Sequence, residues 1–263
     1  MTIKGKPAKL QKSYSAPALE KGLDILELLA EKRAPMTMPQ MSAALDRSKS
    51  EIYRMVAVLE DRGYLCRDEA TEQFRITGQL FDLGMSVSPI GTLIEDAYPL
   101  MHELSEQIRQ SSHLVVASGD RIVVVARVES SAVFGFSVKV GRYAGLFETT
   151  SGKVLLSWMP EAERATLIRT HARLSTGFGI REFESQLEAI RERGWLQQES
   201  ADVPGITDIS VPVFMGGGEQ AIACLMVPFL ASSRTTVSLD QTRELVVEAA
   251  TEISSLAGRH HGL

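Results

Sequence analysis

The chain has 263 residues, 44% of them hydrophobic and 23% charged, a balance that suits a soluble globular protein with room for two compact domains. No apolar run approaches the roughly 18 residues of a membrane span, so no membrane partner is expected, and the presence of only Cys66 and Cys224 excludes a disulfide framework and fits a reducing cytoplasm. The net charge of −5 is unevenly placed: residues 1–78 carry 13 Lys and Arg against 11 Asp and Glu, and the remainder 15 against 22, so a mildly basic head precedes an acidic body.

Residues 1–17 hold Lys4, Lys6, Lys9 and Lys12 with Ser13 and Ser15, a flexible basic arm that could lie along phosphates or serve as a solubilising tail. They lack the apolar centre of a secretory signal. Residues 18–78 form the first expected domain. Ala18–Ala30 carries Leu19, Leu23, Leu26 and Ala30 at helical spacing, with Ile25 and Leu29 alongside. Thr37-Met38-Pro39-Gln40 is a capping box opening a short helix with Met38, Met41, Ala44 and Leu45 inward. Asp46-Arg47 turns into a second box, Ser48 to Glu51, and Ile52, Met55, Val56 and Leu59 then make one apolar stripe. That leaves Lys49, Ser50, Tyr53 and Arg54 on the outer face, near the leading end of the helix. Gly63 ends this helix, and Tyr64–Arg67 and Gln73–Ile76 flank a polar turn as a hairpin. Three helices and a hairpin describe a winged helix-turn-helix, whose second helix enters a DNA major groove. Ser48, Lys49, Ser50 and Tyr53 are the candidates for base edges, and Arg47, Arg54, Arg67 and Arg75 for phosphates. With no Asn or Gln on this face for adenine, Lys49 to guanine is the specific contact. For Arg54 an ion pair with Glu51 or another carboxylate of the head is the competing role, and for the face as a whole plain solvation.

Residues 79–91 read as a linker helix with Leu80, Phe81, Leu83 and Met85 apolar, stopped by Pro89 and Gly91. Residues 92–263 form the second domain. Thr92–Gln110 is a helix interrupted by Pro99. Strands are expected at His113–Ala117, Ile122–Val128 and Ala132–Val140, then at Trp195–Glu199, Ile206–Phe214 and Ala221–Phe229. Helices fall at Val154–Trp158, Glu161–Thr170, Phe183–Arg193 and about Asp240–Leu256. Strands in two groups of three with helices between them give an α+β domain on a mostly antiparallel sheet flanked by helices.

The chain from Ala18 to Leu256 resembles the IclR family of bacterial transcription regulators. The words that carry the resemblance are Ala18-Leu19-Glu20-Lys21-Gly22-Leu23-Asp24-Ile25-Leu26, Lys49-Ser50-Glu51-Ile52-Tyr53-Arg54 and Leu59-Glu60-Asp61-Arg62-Gly63-Tyr64-Leu65 in the head. In the body they are Thr150-Ser151-Gly152-Lys153-Val154-Leu155-Leu156, Arg193-Gly194-Trp195, and Gly205-Ile206-Thr207-Asp208-Ile209-Ser210-Val211-Pro212-Val213. The resemblance implies a winged-helix head, a linker helix and a GAF-like domain that binds a small effector. It also implies a homodimer or dimer-of-dimers tetramer on double-stranded operator DNA, no cofactor and no catalysis. Both repressors and activators occur in the family, so release of the operator and recruitment of RNA polymerase both stay open.

The hydroxyls of Thr149, Thr150 and Ser151, with the free amides and dipole of the helix they precede, make a site for a carboxylate. The resemblance carries Thr150 and Ser151 into the effector pocket, although a plain helix cap would use the same residues. Gln198 stands where some members have an acid, and Asp208 where others have a small residue or Cys. Leu225 and Val227 stand where some have serines, and a core strand would equally explain them. Phe136, on the expected third strand, could add an aromatic wall. Together these residues favour a small carboxylate with an apolar or aromatic portion.

Other chemistry lacks its motifs. Phe147 occupies the first glycine of a would-be P-loop ending at Gly152-Lys153, and Glu182 the third glycine after Gly177 and Gly179. Glu106 replaces the second histidine that His102-Glu103 would need for zinc, His260-His261 reads as a tail, and a Ser–His–acid arrangement of Ser151 with His113 or His171 stays open without a nucleophile elbow to support it. The alternative to a DNA regulator is a metabolite-sensing module that uses its winged helix to bind proteins.

Overall fold

Among the described residues, seven elements build the first of two units, residues 1–88, in the computed structural model. The structure describes residues 16–87, 90–133, 135–201, 203–232 and 235–258, so the basic arm up to Ser15, Pro89 and the His260-His261 pair lie outside the described residues. Helix α1 (Pro17–Lys32) starts on a proline whose fixed φ suits the first helical turn. It turns Ile25, Leu28 and Leu29 into the core. The stripe expected to be buried does otherwise: Leu19 is 64% and Leu23 49% exposed, and Ala30 is exposed as well. This helix carries two apolar stripes, and packing against its neighbours selects one.

Helices α2 (Met38–Ala44) and α3 (Lys49–Asp61) begin as their boxes require. Gln40 accepts from the Thr37 amide at 2.8 Å, and Glu51 from the Ser48 amide at 3.0 Å. Met41, Ile52 and Val56 are buried against Ile25, Leu29, Leu65 and Phe74, with Met38, Leu45, Met55 and Leu59 packed around them. Ala44 is exposed, contrary to expectation. Gly63, at φ +76°, lets the Tyr64 amide return to the Leu59 carbonyl at 2.8 Å and ends α3. Strands β2 (Leu65–Asp68) and β3 (Gln73–Ile76) then pair antiparallel, and β1 (Met36–Thr37) adds to the far side of β3. The Asp68 carboxylate accepts from the Ala70 and Thr71 amides at 2.9 and 3.0 Å, which shapes the turn of the wing. Helix α4 (Gln79–Val87) follows, with Leu80, Phe81 and Leu83 exposed; the Met85 side chain is outside the described residues.

The second unit, residues 89–263, is organised on a six-stranded sheet in the order β6-β5-β4-β9-β8-β7, antiparallel throughout. Its strands are β4 (Ser112–Ser118), β5 (Arg121–Val128), β6 (Tyr143–Gly145), β7 (Leu196–Glu199), β8 (Ile206–Phe214) and β9 (Ala221–Leu230). Five match the expected strands closely. The sixth corrects the reading of Ala132–Val140: that stretch is irregular, and the short β6 takes the sheet edge instead. Gly135 lies inside the segment and Gly141 follows it; Gly141 at φ +77° turns the chain back so that its amide reaches the Val124 carbonyl at 2.8 Å.

One sheet face packs on α5 (Ile90–Ile108) and α9 (Leu239–Ala257), through Leu114, Ile209, Val211, Leu225 and Val227 against Leu93, Met101, Val246 and Ile253. Helix α5 runs through Pro99 without a break. The other face packs on α6 (Thr150–Ser157), α7 (Glu161–Leu174) and α8 (Ile180–Arg193), through Val115, Leu196, Cys224 and Met226 against Val154, Leu155, Leu187 and Ile190. Side chains alternate between the two faces along each strand, so neighbours in sequence belong to different cores.

Candidate functional site

The outer face of α3 carries what a groove-binding helix needs. Lys49, Ser50, Tyr53 and Arg54 are all exposed, while Ile52 and Val56 anchor the opposite side. Glu51 points its carboxylate back to the Ser48 amide and hydroxyl and also takes Lys21 Nζ of α1 at 3.0 Å. That removes the ion pair expected as the competing role for Arg54. Among the described residues the side chains of Lys49, Tyr53, Arg54 and Arg75 have no hydrogen-bond or ion-pair partner. Ser50 shares only a 3.2 Å contact with the Ser48 hydroxyl. Arg47 and Arg67 differ. Arg47 reaches back to Asp24 of α1 at 2.8 Å, and Arg67 pairs with Glu72 across the wing while lying 5.8 Å from the Phe74 ring centre. The six basic and phenolic groups named from sequence thus divide into three that stand free, Arg75, whose charge acts on the Asp68 carboxylate without an ion pair, and two already bound within the head.

In the second unit the expected cap is displaced by one residue. Thr149, not Thr150 or Ser151, caps α6, its hydroxyl accepting from the Gly152 amide at 3.1 Å. Thr150 and Ser151 are instead buried against β8. Ser210 Oγ donates to Thr150 Oγ1 at 3.0 Å and lies 3.3 Å from Ser151 Oγ, making a closed hydroxyl cluster at the start of the helix. Cys224 lies beside the Ser151 and Ser210 hydroxyls, and burial pushes its thiol up to about 12, so it stays protonated. Ser151 finds its partner in Ser210 and not in an imidazole: His171 stacks on Phe147 with centroids 4.0 Å apart, and His113 is engaged elsewhere.

The sheet register sorts the remaining candidates. Leu196, Ser210 and Met226 lie opposite one another on β7, β8 and β9, and Gln198 and Asp208 form the next pair on the same face. Gln198 accepts from Lys153 Nζ at 3.4 Å, and burial lowers the Lys153 ammonium from its ordinary value against the pull of Glu148. Asp208 is half-buried beside this pair. Leu225 and Val227 are not part of this group: both are fully buried on the opposite face, against α5 and α9. The residues of β9 that do face α6 are Cys224 and Met226. A period-two reading anchored on Ser210 would have found them, but nothing in sequence fixes which parity meets α6. Phe136 is half-buried in the irregular segment and on no strand.

His113, paired with Met226 across β4 and β9, completes this row of the sheet. It is fully buried; its Nε2 accepts the Val138 amide at 2.8 Å and lies 3.3 Å from Ser137 Oγ. Burial, the nearby Arg127 charge adding to it, brings its pKa down to about 4, while the Met226 carbonyl pulls the other way. A folded value below the unfolded 6.5 means the unfolded chain takes up the proton first on acidification. Stability from this group is therefore complete above pH 6.5 and lost as pH falls toward 4, by about 3 kcal/mol in all. In the head, the Ser48 hydrogen bonds and Lys21 hold Glu51 at about 2, so its contribution disappears only between pH 4.5 and about 2. Calorimetry across this range should show the second unit losing stability first; a His113→Gln protein with an unchanged loss between pH 6.5 and 4 would refute the assignment.

Residues 90–255 match the family described as bacterial transcriptional regulator IclR, C-terminal, and residues 18–69 match the IclR helix-turn-helix domain. The chain is 28% identical over 250 residues to the HTH-type transcriptional regulator KdgR of Escherichia coli, covering 94% of both chains. It is 26% identical over 249 residues to the regulator XynR of the same organism, covering 92% of this chain and 97% of that one. Among solved structures, an IclR homolog from Microbacterium hydrocarbonoxydans superposes with a TM-score of 0.74 at 20% identity, over 91% of this chain and 98% of that one. With a free basic helix at its head and a body that these matches cover almost end to end, the chain belongs to the IclR family, as a DNA-binding transcription regulator with an effector-binding C-terminal domain.

Proposed function

We propose that the chain governs a catabolic or metabolic operon in response to a small organic acid with an apolar or aromatic portion, bound between the start of α6 and the β8–β9 face. The observation that carries this reading is the buried meeting of Thr150, Ser151 and Ser210 at a helix N-terminus, over an apolar floor that includes Met226. Hydroxyls and amides at a positive helix end suit a carboxylate, and a thioether floor suits an apolar body. The Microbacterium homolog was solved with 4-hydroxybenzoate, which agrees with an aromatic acid. Gln198, Asp208 and Lys153 would line the polar rim of the same site.

In this reading α3 lies in the major groove with Lys49 on base edges and Arg54 and Arg75 on phosphates. A single winged head binds weakly at physiological salt, so two copies on a palindromic operator supply affinity and specificity together. The exposed Leu19 and Leu23 of α1 and Leu80, Phe81 and Leu83 of α4 support pairing of copies into a dimer or dimer of dimers. Effector binding then acts through its differential affinity for two arrangements of the heads. Release of the operator and recruitment of RNA polymerase are both compatible outcomes. Among the described residues no helix is long and apolar enough to cross a membrane.

Thermal shift over a panel of aliphatic and aromatic carboxylates tests the effector class, because a ligand of the native state raises Tm by mass action. The reading expects at least one rise among acids with an apolar body, about 2.7 kcal/mol of added stability at a hundredfold excess over Kd, abolished in Ser210→Ala. A panel without any rise would overturn it.

A further inference from the structure

The row that crosses the α6-facing side of the sheet runs Ser210 on β8, Met226 on β9 and His113 on β4, each directly opposite the next. One end of the row holds the hydroxyl cluster. The other end holds an imidazole, and Met226 lies between them. A backbone N–H can only donate, so the 2.8 Å bond from the Val138 amide fixes His113 Nε2 as the acceptor. The single proton of the neutral ring is then on Nδ1. Nδ1 is buried and has no partner within ordinary hydrogen-bond geometry; the Met226 carbonyl beside it makes only a weak contact that favours the charged ring. A buried donor left unpaired costs roughly 1–3 kcal/mol, so an acceptor brought to it is bound with that cost recovered. Among the described residues no other side chain of the second unit has a buried, unpaired N–H.

We infer that His113 is a second anchor of the effector site, its Nδ1–H receiving an oxygen at the end of the ligand remote from the carboxylate. This rests on the carboxylate being held at α6, as proposed above. Neighbouring strands are about 4.8 Å apart, so the two anchors stand about 10 Å apart across Met226. Two hydrogen bonds of about 2.8 Å leave about 4–5 Å between the two ligand oxygens in the plane of the row, the span of a short carbon chain. The site therefore selects bifunctional acids: a carboxylate at one end, an apolar body over Met226, and a hydroxyl, keto or second carboxylate oxygen at the other. Ser137 and Val138, held by the same ring, cover this end of the row. The ligand thus touches the segment between β5 and β6 through His113.

The test uses matched pairs of probes that differ only in the remote oxygen, benzoate with 4-hydroxybenzoate and butyrate with succinate. Kd is measured by calorimetry on the full chain and on two variants. Wild type should favour the bifunctional member of at least one pair about tenfold, the worth of one hydrogen bond to a buried donor. His113→Gln can still accept from the Val138 amide but offers no donor at the Nδ1 position, and should reduce the ratio to near one while keeping affinity for the simple acid. His113→Asn puts an amide donor near Nδ1 and should retain the preference. A ratio unchanged in His113→Gln, or no preference in wild type despite binding, overturns this inference and leaves the effector class standing. Absence of binding by all four probes overturns both. Should His113→Gln fail to fold, the Nδ1 proton and nitrogen resonances of 15N-histidine-labelled wild type decide: they must shift with 4-hydroxybenzoate or succinate and not with benzoate or butyrate, and signals that stay fixed refute the contact.

Discussion

Replacing Gly152 with alanine should lower the melting temperature of the second unit by about 6–12 °C, the equivalent of about 3 kcal/mol, and abolish the effector response. A β-carbon at this position would stand 2.0 Å from the Leu146 carbonyl oxygen, 2.6 Å from its carbon and 2.8 Å from the Leu146 Cα. All three are backbone atoms of a fully buried residue, so no side-chain rotation can make room. The first turn of α6 must instead lift from the turn that follows β6, and Thr150 and Ser151 move with it, away from Ser210. The same substitution at Gly22 is the control. That residue lies inside α1 with nothing within 4 Å of the added carbon, and alanine there should stabilise the helix by about 0.5–1 kcal/mol. Calorimetry of both variants separates close packing from helix propensity, and a Gly152→Ala protein as stable as wild type would show that α6 does not rest on the Leu146 backbone as described.

Lys49→Ala should weaken binding to an operator, isolated by selection from random duplexes, about 10- to 100-fold, with a much smaller loss on unselected DNA. The residue stands unpaired at the leading end of α3, where an ammonium can reach guanine acceptors without first breaking a bond within the protein. Arg54→Ala and Arg75→Ala should instead weaken both kinds of DNA alike and reduce the slope of log K against log salt by about one each. Arg47→Ala should change that slope little, because the guanidinium is already given to Asp24. Fluorescence anisotropy at several salt concentrations checks all four. Equal losses on operator and random DNA would make Lys49 a phosphate contact, and a full unit of slope at Arg47 would mean that its ion pair opens on DNA.

The head was legible in the sequence because its signals are local. Capping boxes at Thr37 and Ser48, a stop at Gly63 and a 3.6-residue stripe from Ile52 to Leu59 involve residues within a turn or two of one another, and each is present as read. Which of two stripes α1 buries was not legible, since Leu19 and Leu23 are as apolar as Leu28 and Leu29 and the choice rests with α3 and the wing. Ala132–Val140 shows the same limit for strands: Val133, Val138 and Val140 suit a sheet edge, but the hydrogen bonds of that edge go to Tyr143–Gly145.

At the proposed effector site, residue types and order by themselves determined that Thr150 and Ser151 open a helix, that Gln198 and Asp208 sit on strands, and that the last long strand is apolar. Tertiary structure alone decided the rest. It turned Leu225 and Val227 to the α5–α9 core, brought Cys224 and Met226 toward α6, moved the cap to Thr149 and joined His113 to a row that contains Ser210. The physical reason is the period of the strand. A helix cap is written within four residues, whereas the face that a strand residue meets depends on register with partners from tens to more than a hundred positions away, and a shift of one residue exchanges every side chain between the two cores.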